Sequence, residues 1–335
     1  MYIAPTSAAV ENVQVPAGSS SSTPAIQAAN VPATPASVKP TSTSEAAPIS
    51  TTSSAPAETS SASSSSSSTE SSGFGLSYSP YNADGTCKTQ SQVTTDFTSI
   101  NGYSLVRIYG TDCNQVATVL TAAKAKGMKL FAGIFDLGSL SSEIATIVSA
   151  ANGDWSSFDT ISIGNELVNS GTASAATVVA AIGTARTLLK AAGYTGKVVT
   201  VDTLVAARAN PSICDASDYC AVNCHPFFDG NYVAADSGKF LTEQIPTLSA
   251  VLSNKNQEIV ITETGWPWKG ETNGVAVPSL ENQSAALSSI KTSFSSSPDA
   301  IILFTAFNDL WKSNTAAQFD AEQYWGMGGN NPPSG

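Results

Sequence analysis

Glu166 and Glu263 are the residues of this sequence whose type and setting could carry out acid–base and nucleophilic chemistry as a pair. Glu263 closes the β-branched run Glu258-Ile259-Val260-Ile261-Thr262-Glu263, which Gly265, Trp266 and Pro267 then break. Glu166 closes a second short run, Thr160-Ile161-Ser162-Ile163-Gly164-Asn165-Glu166. Runs of this kind read as buried parallel strands. Two carboxyl groups at strand ends suit cleavage of a glycosidic bond. One must be protonated to assist the leaving oxygen, and the other ionised to attack the anomeric carbon or to activate water. A single strand-end glutamate is also what a solvated loop residue looks like. The argument therefore rests on the pair.

Such a pair needs a scaffold that brings distant strand ends together. Apolar runs predict strands over 74–79, 105–109, 129–135, 160–164, 197–202, 219–223, 258–262 and 300–307. Helical periodicity predicts helices over 92–100, 114–126, 142–151, 174–192, 241–252 and 279–294. Ser174 is placed as an N-cap, and Gly127 as a helix stop. Pro246 is expected to interrupt or restart its helix. The segment with Asn210-Pro211 and Cys214 reads as an irregular loop. Eight strands with helices in most gaps predict an α/β fold, a (β/α)8 TIM barrel, whose strand C-termini face the site. A doubly wound open sheet is the structural rival, but no GxGxxG fingerprint follows the first strand.

Composition divides the chain. Residues 19–72 are dominated by Ser, Thr, Ala and Pro and hold no aromatic residue. Such a stretch cannot bury enough apolar surface to offset the entropy of ordering. Residues 1–73 are thus expected to be a disordered Ser/Thr/Pro-rich stalk, O-glycosylated if the protein is secreted. Residues 74–330 are expected to be the barrel, close to the roughly 250 residues typical of that fold. The formal net charge of −11 and pI near 4.5 argue against nucleic-acid and anionic-membrane partners. No apolar run is long enough to span a membrane. The first residues lack a signal peptide and the last ones lack an anchor tail, so a mature or truncated form of a secreted protein is expected.

Five cysteines do not follow a zinc pattern, and there is one histidine, so no metal or cofactor is expected. Two disulfides and one leftover thiol fit an oxidising compartment. Cys87 and Cys113 both follow early strands on one barrel face and are the favoured first pair. The pairing among Cys214, Cys220 and Cys224 stays open. Asn282-Gln283-Ser284 is the one sequon, with Asn282 as the candidate glycosylation site on a surface helix.

Several blocks resemble glycoside hydrolase family 17. Thr262-Glu263-Thr264-Gly265-Trp266-Pro267 is similar to that family's nucleophile motif. Gly75-Leu76-Ser77-Tyr78-Ser79-Pro80-Tyr81, Val106-Arg107-Ile108-Tyr109-Gly110, Ile163-Gly164-Asn165-Glu166 and the stretch from Phe304 to Lys312 resemble its other blocks, in order. The resemblance covers most of 74–327, and within the family it is to fungal soluble cell-wall proteins and surface mannoproteins. It implies a monomeric, secreted cell-wall enzyme that acts on β-1,3-glucan with retention. It makes Glu166 the general acid/base and Glu263 the nucleophile. Asn165 would bind the sugar 2-hydroxyl, and Arg107 would support the ionised Glu263 and contact the substrate beside it. Tyr78, Tyr109, Phe228, Trp266 and Trp311 stand at or beyond strand ends and are expected to line a polysaccharide cleft, as is His225. Asn308 stands beside Asp309 where an acidic residue would be usual in the last block.

Hydrolysis and transglycosylation share one glycosyl-enzyme intermediate, and these motifs do not separate them. A non-catalytic wall-bound glycan-binding protein is the competing reading, opposed by the intact Asn165-Glu166 and Glu263. A Schiff-base enzyme would need a desolvated lysine at a strand end, and only Lys312 comes near.

Overall fold

The computed structural model describes residues 73–327. The expected stalk, Gly73 apart, and the C-terminal 328–335 lie outside the described residues.

Among the described residues, eight parallel strands close into a barrel in sequence order. They are β1 (Gly75–Ser77), β2 (Leu105–Arg107), β3 (Lys129–Ile134), β4 (Phe158–Asn165), β5 (Lys197–Thr203), β6 (Cys220–Asn223), β7 (Ile259–Thr264) and β8 (Ile301–Leu303). The helices α1 (Gln90–Ser99), α2 (Gln115–Ala125), α3 (Leu140–Ala151), α4 (Ala175–Ala191), α5 (Leu204–Ala209), α6 (Ser212–Asp215), α7 (Ser237–Ser249) and α8 (Leu280–Ser293) fill the gaps between strands. The (β/α)8 expectation holds.

Local chemistry starts the helices where the sequence says. Thr89 and Gln92 form a capping box on α1, and Ser174 accepts from the Thr177 amide at the start of α4. Gly127, at φ 67°, lies just past the C-cap of α2.

Several boundaries differ from expectation: β1 and β2 stop at Ser77 and Arg107, short of the expected 79 and 109. β8 stops at Leu303, because Phe304 to Phe307 leave the ladder to build the barrel mouth. The expected loop around Asn210 is two short helices, α5 and α6, and Thr203 caps α5 through the Ala206 amide. Helix α7 begins at Ser237 and runs through Pro246. Burial of Phe240, Leu241 and Leu248 holds that helix together across the one backbone bond that proline cannot donate.

Side chains alternate between two buried layers, as barrel strands require. Val198, Ile161 and Ile261 face the helices, whereas Phe131, Val199, Val201, Val260 and Ile302 fill the barrel interior. Cys87 and Cys113 are joined in a disulfide, as are Cys214 and Cys220. Cys224 stays a buried thiol, its pKa pushed up to about 12 by burial.

Candidate active site

The alternation on β4 and β7 breaks where the two glutamates sit. Ile161 and Ile163 face the helices, so strict alternation would send Asn165 outward as well. Instead the β4–β5 register shifts between Ser162 and Asn165, and Gly164 takes φ 80°. On β7, Val260 faces inward and Ile261 outward, so Glu263 would also face outward. The registers of β7 with β6 and with β8 both shift there. Irregularities of this kind re-aim side chains, and here they turn Asn165 and Glu263 into the barrel mouth beside Glu166.

Arg107, at the inward end of β2, gathers these residues. Its Nη1 donates to Glu263 Oε1 at 3.0 Å, to the Thr262 carbonyl at 2.8 Å and to Asn223 Oδ1 at 3.2 Å. Its Nη2 donates to Asn165 Oδ1 at 2.8 Å. The guanidinium lies 4.5 Å from the centre of the Tyr109 ring. Such a cation must be paired to be tolerated inside a fold. At 1% exposure, Arg107 cannot be the substrate-contacting residue expected; it organises the site from within.

The two carboxyl groups experience opposite fields. Burial alone would raise Glu263. The His225 hydrogen bond, then the charges of Arg107 and His225, overcome burial and hold Glu263 down at about 2. His225 Nε2 stands 3.3 Å from Glu263 Oε2, and its Nδ1 has no hydrogen-bond partner among the described residues. The ring therefore directs its Nε2 proton at the carboxylate. Glu166 is raised to about 7, by burial first and the Glu263 charge second, against a hydrogen bond from Asn223 that lowers it. That bond runs from Asn223 Nδ2 to Glu166 Oε1 at 2.7 Å. Near neutrality and below, one group is an acid and the other an anion.

Glu166 itself has φ 54°, and its amide donates to the Val201 carbonyl of β5 at 2.9 Å. The loop behind it is held by Asp202, whose carboxylate accepts from the Val168, Asn169 and Thr203 amides. Asn165 Oδ1 is taken by Arg107 and Asn223, so its amide nitrogen is turned away from Arg107.

The expected aromatic lining is only partly realised. Trp266 is 0% exposed: its Nε1 donates to the Val277 carbonyl and its ring packs on Phe227. Tyr78 is 1% exposed, because the residue after β1 turns outward onto α1, where its hydroxyl donates to Asp96 at 2.6 Å. Neither can present a face to a sugar. Half-buried Tyr109 packs under Arg107, and its hydroxyl faces Glu263 and Ser77 without a hydrogen bond of ordinary length. Phe228 is 42% exposed and leans on His225, Phe319 and Trp325. Trp311 is half-buried against Tyr81, with ring centres 4.8 Å apart.

Asn308 accepts from Trp268 Nε1 and the Gly326 amide, a structural role. Burial would lower Lys312, but Asp309 and Glu322 raise it above the ordinary lysine range, so it is held as a cation. A Schiff-base nucleophile would have to be neutral. Asn282 lies in the first turn of α8 with its side-chain amide donating to the Val277 carbonyl, a bond that glycosylation would have to displace.

Sequence reasoning missed Asn223, Asp202 and Trp325. Asn223 and Asp202 are polar residues near the ends of buried strands, the same signal that marked Asn165. Trp325 stands 4.9 Å edge-on to His225 from the last described loop, with no periodic pattern around it.

Comparison with known proteins places this geometry in context. The BtgE/BtgC glycoside hydrolase domain matches residues 75–326. The cell surface mannoprotein MP65 of Candida albicans is 49% identical over 258 residues, covering 76% of this chain and 66% of the relative. The probable family 17 glucosidase SCW10 of Saccharomyces cerevisiae is 48% identical over 255 residues, covering 76% and 64%. The chain thus spans just under two thirds of the length of these relatives. The crystal structure of a family 17 β-1,3-glucanosyltransferase from Rhizomucor miehei superposes with TM-score 0.65 at 22% identity, over 76% of this chain and 93% of that one. At that identity the likeness is one of fold.

Proposed function

The chain belongs to the BtgE/BtgC glycoside hydrolase domain family and, with its relatives, to glycoside hydrolase family 17, and on that premise we propose that it cleaves β-1,3-glucan with retention, by hydrolysis or by transfer to another sugar, at the fungal cell surface. The observation that carries this reading is the opposed pair of glutamates: Glu166 raised to about 7 and Glu263 lowered to about 2 around one Arg107–Asn223 network. A double displacement needs both states at once, one carboxyl group protonated and the other ionised.

In the first step, Glu263 attacks the anomeric carbon as the Glu166 proton passes to the glycosidic oxygen. The C–O bond breaks, the shortened glucan leaves as an alcohol, and a glycosyl ester remains on Glu263. In the second step, water or a sugar hydroxyl attacks that carbon and gives its proton to Glu166. The ester bond breaks, Glu263 returns as carboxylate, and Glu166 is again the acid. Asn165 would hold the 2-hydroxyl, and Phe228 and Trp311 would hold neighbouring sugars. The substrate and site follow the names of the relatives: a β-1,3-glucanosyltransferase for one and a cell surface mannoprotein for another.

Defined β-1,3-gluco-oligosaccharides test this reading. The protein should consume them. Products longer than the substrate mean transfer, and only shorter ones mean hydrolysis. If these chains remain intact at all pH values where the protein is folded, the proposal fails.

A further inference from the structure

Asn223 ends β6, and all its polar capacity is spent inside the site. It is 3% exposed. Its Nδ2 donates to Glu166 Oε1 at 2.7 Å and lies 3.2 Å from Asn165 Oδ1. Its Oδ1 accepts from Arg107 Nη1 at 3.2 Å and from Thr262 Oγ1 at 3.0 Å. An amide can in general be turned end for end. Here it cannot: a guanidinium offers donors only, so the amide oxygen must face Arg107 and the nitrogen must face Glu166. That nitrogen is itself donor-only. Glu166 Oε1 is therefore an acceptor in both protonation states of the carboxyl group, and since the carbonyl oxygen is the better acceptor, the acid proton is favoured on Oε2.

We propose that Asn223 is the positioning residue of the acid/base: locked end-on by Arg107, it favours the transferable proton of Glu166 on Oε2. The proposal rests on Glu166 being the acid/base, as above. In the first step the proton leaves Oε2 for the glycosidic oxygen while Oε1 keeps its hydrogen bond. In the second step the Oε2 lone pair receives the proton of the incoming water or sugar hydroxyl. Without Asn223 that preference is lost, and a proton on Oε1 is turned towards the protein. The same bond favours the ionised form of Glu166 against burial. The charged and titratable groups that face Glu166 are Glu263 from β7, His225 after β6 and Asp202 from β5, with Arg107 of β2 behind Asn165. Asn223 thus links the acid/base to the cation that holds the nucleophile.

The test compares pH profiles of kcat/KM on a β-1,3-gluco-oligosaccharide for the full chain, Asn223→Ala and Asn223→Leu, with thermal melting of each. Both substitutions remove the donor, and Leu nearly keeps the volume should the Ala variant not fold. The expected result is a fall in turnover of about tenfold or more and an alkaline limb moved up by about one pH unit, the scale of perturbation such an environment produces. A lower rate with an unmoved limb in every variant that folds overturns the proposal and leaves Asn223 a packing residue. Wild-type kinetics overturns it outright. Glu166→Gln separates the two readings. If residual cleavage in that variant keeps the wild-type alkaline limb, Glu166 is not the acid. If the limb disappears there but stays fixed in the Asn223 variants, only the present inference fails.

Discussion

Two side chains of one type acquire opposite characters because their neighbours differ. Glu263 faces a hydrogen bond from His225 and the cation of Arg107, which outweigh its burial. Glu166 faces burial and the charge of Glu263, with only the Asn223 amide to oppose them. The sign of the pH dependence follows. In the proposed mechanism the first step needs Glu263 ionised, so it should fail as pH falls through about 2, and it needs Glu166 protonated, so it should fail as pH rises through about 7. The kcat/KM profile on an oligosaccharide should be a broad bell between those limits. His225→Ala removes the leading stabiliser of the Glu263 anion, so the acidic limb should climb towards the ordinary carboxylate range. An acidic limb that does not move would show that His225 has no part in holding the anion. That the two glutamates and Asn165 stand at strand ends was legible in the sequence, because each closes an apolar run. Trp266 and Tyr78 were misassigned for a related reason: proximity to a strand end does not say whether a ring turns to the cleft or to the core. The bonds that decide, to Val277 and to Asp96, are made with residues 11 and 18 positions away.

Strand registers, more than strand positions, aim the site. Regular alternation would point Asn165 and Glu263 at the helices, and the shifts beside β4 and β7 turn them inward. Gly164 makes the β4 irregularity possible: it holds φ 80°, and a Cβ there would overlap the Leu167 side chain. Gly164→Ala should lower stability by about 1–2 kcal/mol, the cost of a left-handed conformation for a residue with a Cβ. Activity should fall by about 100-fold, because small displacements of a reacting group are costly. Circular dichroism and oligosaccharide turnover measure the two effects, and a folded variant with wild-type turnover would show that Gly164 does not set the aim of Glu166. The existence of the elements was legible from apolar runs and helical periodicity. The register shifts were not, since a bulge depends on the partner strand and leaves no local pattern. Nor was the passage of α7 through Pro246, which is decided by the burial of Phe240, Leu241 and Leu248 against the rest of the barrel.

At the scale of the molecule, barrel closure brings β2, β4, β6 and β7 to one rim, so that residues far apart in sequence share a single network. Arg107 and Glu263 are 156 positions apart and 3.0 Å apart in space. Eight alternating units made that closure readable in the sequence, and the disulfide between Cys87 and Cys113 ties together two loops after the first two strands. The division of labour across the rim is the central claim, and azide rescue tests it most directly. With an aryl β-1,3-glucoside bearing a good leaving group, Glu166→Ala should still form the ester on Glu263 and then stall. Added azide should restore turnover and yield the β-glycosyl azide, by a second displacement on the intermediate. Glu263→Ala can form no ester, so azide should displace the leaving group once and yield the α-glycosyl azide. The anomer is read from the proton NMR coupling of each product. The account predicts β from the Glu166 variant and α from the Glu263 variant. The reverse assignment would exchange the two roles, and full activity without azide in both variants would remove these glutamates from the chemistry.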